Sequence, residues 1–473
     1  MEDLAPFVER AFSIEVIEHA QIALDVEGTI PSYLRGTAYF NGPARFERAG
    51  LKYKHWLDGD GMVCAVDFGP DGVRVSNRFV RSEKFVREDA AGKPLFRTFG
   101  TAFEGDQLKR GVGLESPVNV SVYPFGSRLL AFGEQGLPWE IDARTCETRG
   151  LYTFDQQLNE VTPFSAHPKV DHRTGELFNF CVAFAAANPI INLFRFGADG
   201  ALKYRKRLKL PYPASTHDFA ISERFIVIYV SPLILRMEAL IQDGATVMDA
   251  LSWQPELGSQ LIVASRDTGE EVARLEVGDH YCLHMINAFE RDGHLIVDIV
   301  DYDKPLYPEY QTIPNLFSDS FRGRPLRLTV DLAAGSVIER AEVGYSNSPD
   351  FPAHDPDLTG LPYDHFWMLG MSRAGNAGRK FFDEVVRIDW PTRSAEVFGA
   401  PPRHYFGGEP LFVPDPSRSN QGTILCQLFD AEHCRSSFVL FDAFRLSAGP
   451  VATLRVPSAL PPLFHSSFSK HQG

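Results

Sequence analysis

Along almost all of its 473 residues the chain alternates between short apolar runs and turn residues, and this rhythm restricts it to an antiparallel, strand-built fold. The runs at 128–142, 176–196, 224–230, 260–276, 283–302, 326–344, 384–398 and 423–454 are rich in β-branched and aromatic residues. Between and within them, Ala198-Asp199-Gly200, Asp267-Thr268-Gly269, Arg291-Asp292-Gly293 and Ala334-Gly335 carry the chemistry of tight hairpin turns. Helical periodicity is clearest at 231–253, and no long polar linker interrupts the pattern. The expectation is one closed all-β domain over residues 1–473, for which a β-propeller fits best, although no repeat is legible at a fixed period and a pair of β-sandwiches satisfies the same strand density.

Composition narrows the function classes. A formal net charge of −14 surrounds the molecule with a negative field, and no Lys/Arg stripe interrupts it, so nucleic acid is not an expected partner. The six cysteines are scattered and form no CxxC pair, which points away from a disulfide framework or a thiolate zinc site and toward a reduced, cytoplasmic setting. Residues 1–18 carry several charges and no apolar core of a secretory signal, and no run approaches the ~20 apolar residues of a spanning helix. Phenylalanine stands out, with 37 against 15 Tyr and 5 Trp, and supplies rigid apolar surface that has no polar group to satisfy.

Of 14 histidines, most sit among charged, Gly or Pro neighbours, and His55 and His354 are read with them as surface or turn residues. Four differ: His167, His217, His284 and His465 each lie beside small and apolar residues at the edge of a strand run. They are spaced at roughly one, one and three multiples of about 60 residues, as if successive propeller blades aimed imidazoles at one axis. Such a set suits a borderline divalent metal; iron, zinc and copper all satisfy it. A ligating imidazole needs an acceptor on its other nitrogen. Glu134, in an apolar strand, Asp350 and Glu409 are the candidate carboxylates.

The segments 42–47 and 55–63 (Gly-Pro-Ala-Arg-Phe-Glu and His-Trp-Leu-Asp-Gly-Asp-Gly-Met-Val), 164–168, 216–219, 284–290, 408–414 and 464–465 together resemble the carotenoid cleavage oxygenase family, in that family's order along nearly the whole chain. The resemblance implies a seven-bladed β-propeller under a dome of helices and loops, with residues 1 to about 25 partly outside the blades. It implies Fe(II) held by His167, His217, His284 and His465, O2 as co-substrate, and Glu134, Asp350 and Glu409 accepting from three of the imidazoles. The usual residue at the middle acidic position is Glu, so Asp350 is one methylene shorter and its direct reach to a histidine is in question. Val120 matches a position beside the open coordination site where many members carry Thr. Gly133 stands where the stilbene-cleaving branch carries Lys.

The implied activity is oxidative cleavage of a C=C bond in a carotenoid or apocarotenoid, a long apolar polyene. A stilbene dioxygenase, an isomerohydrolase and a non-catalytic carotenoid-binding propeller are its rivals. Phe103, Phe164, Phe406 and Phe464 are candidate walls of the substrate tunnel. Leu233, Ile234, Leu235, Met237, Leu240 and Ile241, within a helical insertion at 231–253, resemble a nonpolar patch at the tunnel mouth that touches the inner face of a membrane.

Overall fold

The computed structural model describes residues 3–160, 162–183, 188–310 and 316–471. Each of the hairpin turns named above joins two antiparallel strands. At the sharpest of them, Asp292 and Gly293 take positive φ (52° and 81°), the twist a two-residue connection needs to return a strand alongside itself. The hairpins build seven sheets of four or five strands, which are the blades of a seven-bladed β-propeller, and two small outlying hairpins.

Burial follows position in the blade. The inner strand Tyr281–Arg291 is buried at nine consecutive residues, whereas the outer strand Leu202–Lys209 alternates between half-buried and exposed. The inner strands of blades two to seven are Ser121–Phe125, Lys169–Asp171, Ala220–Ile221, Tyr281–Arg291, Ser348–His354 and His404–Pro414. Blade one takes its inner strand from the far end of the chain: His465–Lys470 pairs with Gly36–Arg45, with His465 opposite Asn41. Blade seven takes its outer strand from the near end, Asp25–Gly28 pairing with Pro450–Arg455. The ring is therefore closed twice, by both ends of the chain, and no inner sheet edge is left open.

Separate apolar clusters fill the spaces between neighbouring blades, and this is where much of the Phe surplus resides. Phe132, Phe154, Phe164, Phe194 and Phe196 interlock between blades two and three, with the Phe154 and Phe196 rings stacked at 4.0 Å. The six cysteines are all unpaired, five of them buried. No described helix is long and apolar enough to cross a membrane.

The dome is fastened to blade one by the His55–Val63 segment. Asp58 accepts hydrogen bonds from the backbone of His55 (3.0 Å) and Gly100 (2.7 Å) and from the Thr101 hydroxyl (2.6 Å). His55 bonds the Tyr307 carbonyl at 2.9 Å through Nε2 and is 1% exposed, so it is an internal tether and not the surface residue its charged neighbours suggest. At Gly61 a Cβ would lie 2.0 Å from the Val118 carbonyl oxygen, and both groups belong to backbone. Gly61→Ala must displace one of them, and we expect a loss of about 1–3 kcal/mol, read as a lower urea midpoint.

The segment expected to be one helix is different. Leu233–Leu235 and Leu251–Trp253 pair as a two-stranded hairpin around two short helices, Met237–Ile241 and Val247–Ala250. Gly244 at φ 72° breaks the run, and Thr246 caps the second helix by accepting from Asp249 N. The expected membrane patch changes with it. Leu233, Ile234, Leu235 and Leu240 are buried in the apolar core, Met237 is half-buried, and only Ile241 is substantially exposed, at 43%. Pairing as a strand buries Leu233, Ile234 and Leu235, and the short helix that follows turns Leu240 inward.

Candidate metal centre

Seven residues meet near the propeller axis, one from each blade: His465, Glu134, His167, His217, His284, Asp350 and Glu409 in blade order one to seven. Regular strands would not aim them all inward. The inner strand of blade five shifts register around His284, that of blade six between Asp350 and Ala353, and that of blade seven between Gly407 and Leu411, which brackets Glu409. A bulge adds a residue to one strand and re-aims the side chain beside it. Phe351, next to Asp350, takes φ 53° in the blade-six bulge, and Gly408 takes 78° in that of blade seven. His167 and His217 instead precede the short inner strands of blades three and four, and Glu134 lies in the bend just past Arg128–Phe132 and not within a strand.

One ring nitrogen from each of the four buried imidazoles lies within 4.8 Å of the others. Two nitrogens on opposite sides of an ion at ~2.1 Å would be ~4.2 Å apart, so the cluster has the dimensions of a coordination sphere. Three imidazoles are oriented from behind. His217 Nδ1 bonds Glu134 at 2.9 Å, His284 Nδ1 bonds Asp350 at 2.6 Å and His465 Nδ1 bonds Glu409 at 2.8 Å. With Nδ1 carrying the proton, each Nε2 presents a lone pair to the centre. His284 Nε2 is buried with no hydrogen-bond partner, and His167 Nε2 faces His217 Nε2 at 2.9 Å. Unpaired acceptors facing one another in a dry site are costly unless a cation lies between them, so the residues present fit a divalent metal.

Electrostatics agree with this. Burial, and then the three facing imidazoles, hold His167 well below the usual imidazole range, so it is neutral at pH 7. Burial also lowers His465, although Glu409 pulls the other way. At His284 burial is outweighed by the Asp350 carboxylate, which raises it.

The shorter Asp350 does touch its histidine, because the bulge carries its backbone toward the axis. Its two oxygens also accept from Tyr310 OH at 2.5 Å and Phe351 N at 2.8 Å. Tyr310 has no sequence signal of its own, and only the structure reveals it. Removing a carboxylate that orients a ligand costs roughly 10–100-fold in metal affinity, and we expect Asp350→Ala to fall in that range in a chelator competition.

Val120 is 2% exposed, and its carbonyl accepts from His465 N at 3.2 Å, which places it at the edge of the cluster beside the inner strand of blade two. Gly133 is packed so closely that a Cβ would lie 2.1 Å from Ser116 Oγ. Phe464 packs on Trp56 (4.6 Å) and Phe351 (5.9 Å) and borders His465. Phe164 and Phe406, expected as tunnel walls, are core residues instead: Phe164 is interlocked between blades two and three, and Phe406 packs on Phe398 and Phe441. Phe103 is half-buried in a loop where its backbone N bonds Asp106, and among the described residues its ring meets no imidazole. Besides Phe464, the imidazoles are abutted by Phe351, at 5.7 Å from His284 and 5.3 Å from His465, and by Tyr307, at 6.0 Å from His217.

The family model described as retinal pigment epithelial membrane protein (RPE65) matches residues 12–470. An apocarotenoid-15,15'-oxygenase of Synechocystis sp. is 32% identical over 462 residues, which span 94% of this chain and 92% of that protein. An isoeugenol monooxygenase of Pseudomonas nitroreducens is 28% identical over 472 residues, covering 95% of each. The solved structure of cobalt-substituted Synechocystis ACO superposes with a TM-score of 0.89 at 28% identity, over 99% of this chain and 100% of that one.

Proposed function

The chain belongs to the RPE65 family of carotenoid cleavage oxygenases, and from that premise we propose that it is a non-haem Fe(II) dioxygenase that cleaves a C=C bond of a carotenoid or apocarotenoid with O2 to give two carbonyl products. The observation that carries this reading is the convergence of four buried imidazoles, three of them fixed from behind by carboxylates, with no anionic group among the four. Iron bound there would supply the binding and reduction of O2.

The chain's own residues do the rest by position. Glu134, Asp350 and Glu409 fix the tautomer of the imidazoles they bond and hold their Nε2 lone pairs on the centre. Val120, Phe351 and Phe464 surround that centre with apolar surface, which keeps water from competing and favours an apolar polyene beside it. No side-chain acid or base is required, because the products are aldehydes or ketones and no proton is transferred in forming them.

Gly133 speaks against a phenolic substrate. It offers no cation to a phenolate, and its packing against Ser116 leaves no room for a longer side chain. The test is a panel of carotenoids, apocarotenals, a hydroxystilbene and isoeugenol incubated aerobically and anaerobically, with products read by mass. Oxygen-dependent aldehydes from the polyenes alone are expected. Turnover of the phenols alone, or product formed without oxygen, would replace this reading with one of its rivals.

A further inference from the structure

Beneath the four imidazoles, the residues that follow the site residues along the inner strands enclose a cavity of about 190 Å3. It begins at His167, His284 and His465 and reaches His172, whose side chain is 42% exposed. This side of the cluster has a different chemistry from the side that faces the dome. Toward the dome lie Leu283 and the rings of Phe351 and Phe464, all buried. Along the axial cavity lie Asp218, Asn287, His354 and the hydroxyls of Ser466 and Ser467, and these two buried hydroxyls have no hydrogen-bond partner. At its outer end His172 faces Asp357 at 3.5 Å.

A divalent cation gives up its hydration shell only where oxygen or nitrogen donors replace the water. A wholly apolar approach cannot provide them, whereas Asp218, Asn287, His354, Ser466 and Ser467 stand among the apolar residues of this cavity's wall. We propose that the axial cavity is the path by which the metal ion enters and leaves the four-histidine site. The inference rests on the reading of that site as a metal centre. In the cavity wall Lys169 pairs with Asp218 at 2.8 Å. It places a positive charge beside the path and neutralises the Asp218 carboxylate, whose other oxygen Met285 N holds at 2.9 Å. Lys169 is in these terms a gate that slows metal exchange.

The experiment mixes metal-free protein with Co(II) in a stopped-flow instrument, follows the visible absorption of the bound ion, and separately measures its extraction by a chelator. Ala353→Leu and Thr359→Phe fill the cavity away from the histidines, and Lys169→Met removes the gate. Each filling variant is expected to slow uptake and extraction together by about tenfold or more, with their ratio and the final one ion per chain unchanged. Lys169→Met is expected to speed both, a result that a damaged fold would not give. Unchanged rates in all three variants at full stoichiometry would overturn the path while leaving the metal centre intact. Failure of the unmodified protein to take up one ion per chain would overturn both.

Discussion

Replacing His284 with alanine is expected to empty the metal centre and abolish turnover together. His284 is held more firmly than its neighbours, by a 2.6 Å bond to a carboxylate that is itself fully buried. Its loss removes one of four donors and leaves Asp350 without the partner that offsets its burial, the two groups being matched in opposite directions, with Asp350 lowered and His284 raised. Iron should fall from about one per chain to near zero by metal analysis, and polyene cleavage should fall with it. The same change at His167, which has no carboxylate behind it among the bonds described here, should also lose iron but cost less stability. Stoichiometric iron with full turnover in both variants would remove the assignment.

The largest expected effect on stability lies away from the metal. Lys84 is fully buried and bonds Asp60 at 2.7 Å and Glu88 at 2.9 Å, while Arg48 bonds Asp60 from the other side at 2.7 Å. Lys84→Met keeps the volume and removes the charge, leaving two buried carboxylates to share one guanidinium. Breaking a buried network this way costs about 3–5 kcal/mol, and the urea midpoint should fall accordingly. Burial acts to raise the Asp60 carboxyl, but Lys84 and Arg48 outweigh it and hold the group below its ordinary value. A folded-state value below the unfolded one means that Asp60 contributes stability above about pH 4, and that this is lost as the pH falls through the folded value. Acid titration of the unmodified protein should show the loss. Because the network also joins the first dome helix, Glu83–Ala91, to blade one, the dome should be the first part to loosen.

Much of this is legible in the sequence. The hairpin turns read correctly because Gly and Asp at fixed offsets answer a local need for positive φ, and a local need leaves a local mark. The four histidines stood out because each interrupts an apolar context at a strand edge. What could not be read was set by partners distant in the chain. Asp350 reaches His284 through a bulge whose strained residue is Phe351, and a phenylalanine at φ 53° gives no warning of itself. Phe164 and Phe464 stand in similar company three and one residues before a histidine. One is locked between blades and the other borders the four-histidine cluster, a difference made entirely by the strands that surround them. At 233–235 the apolar spacing satisfies a helix, but pairing with Leu251–Trp253 prevails over it, since tertiary burial overrides propensity in a short segment. The charged neighbours of His55 read as a surface setting, but one of them, Asp58, serves as an internal anchor.

The fourth imidazole stands on the strand that shuts the ring. During synthesis the histidines of blades three, four and five emerge long before His465, so a growing chain can offer an ion three donors at most. High-affinity capture must wait until the final strand slides against Gly36–Arg45, and the same event completes both the architecture and the binding site. Premature or misplaced loading is thereby disfavoured, and an occupied centre would report that the propeller has finished folding.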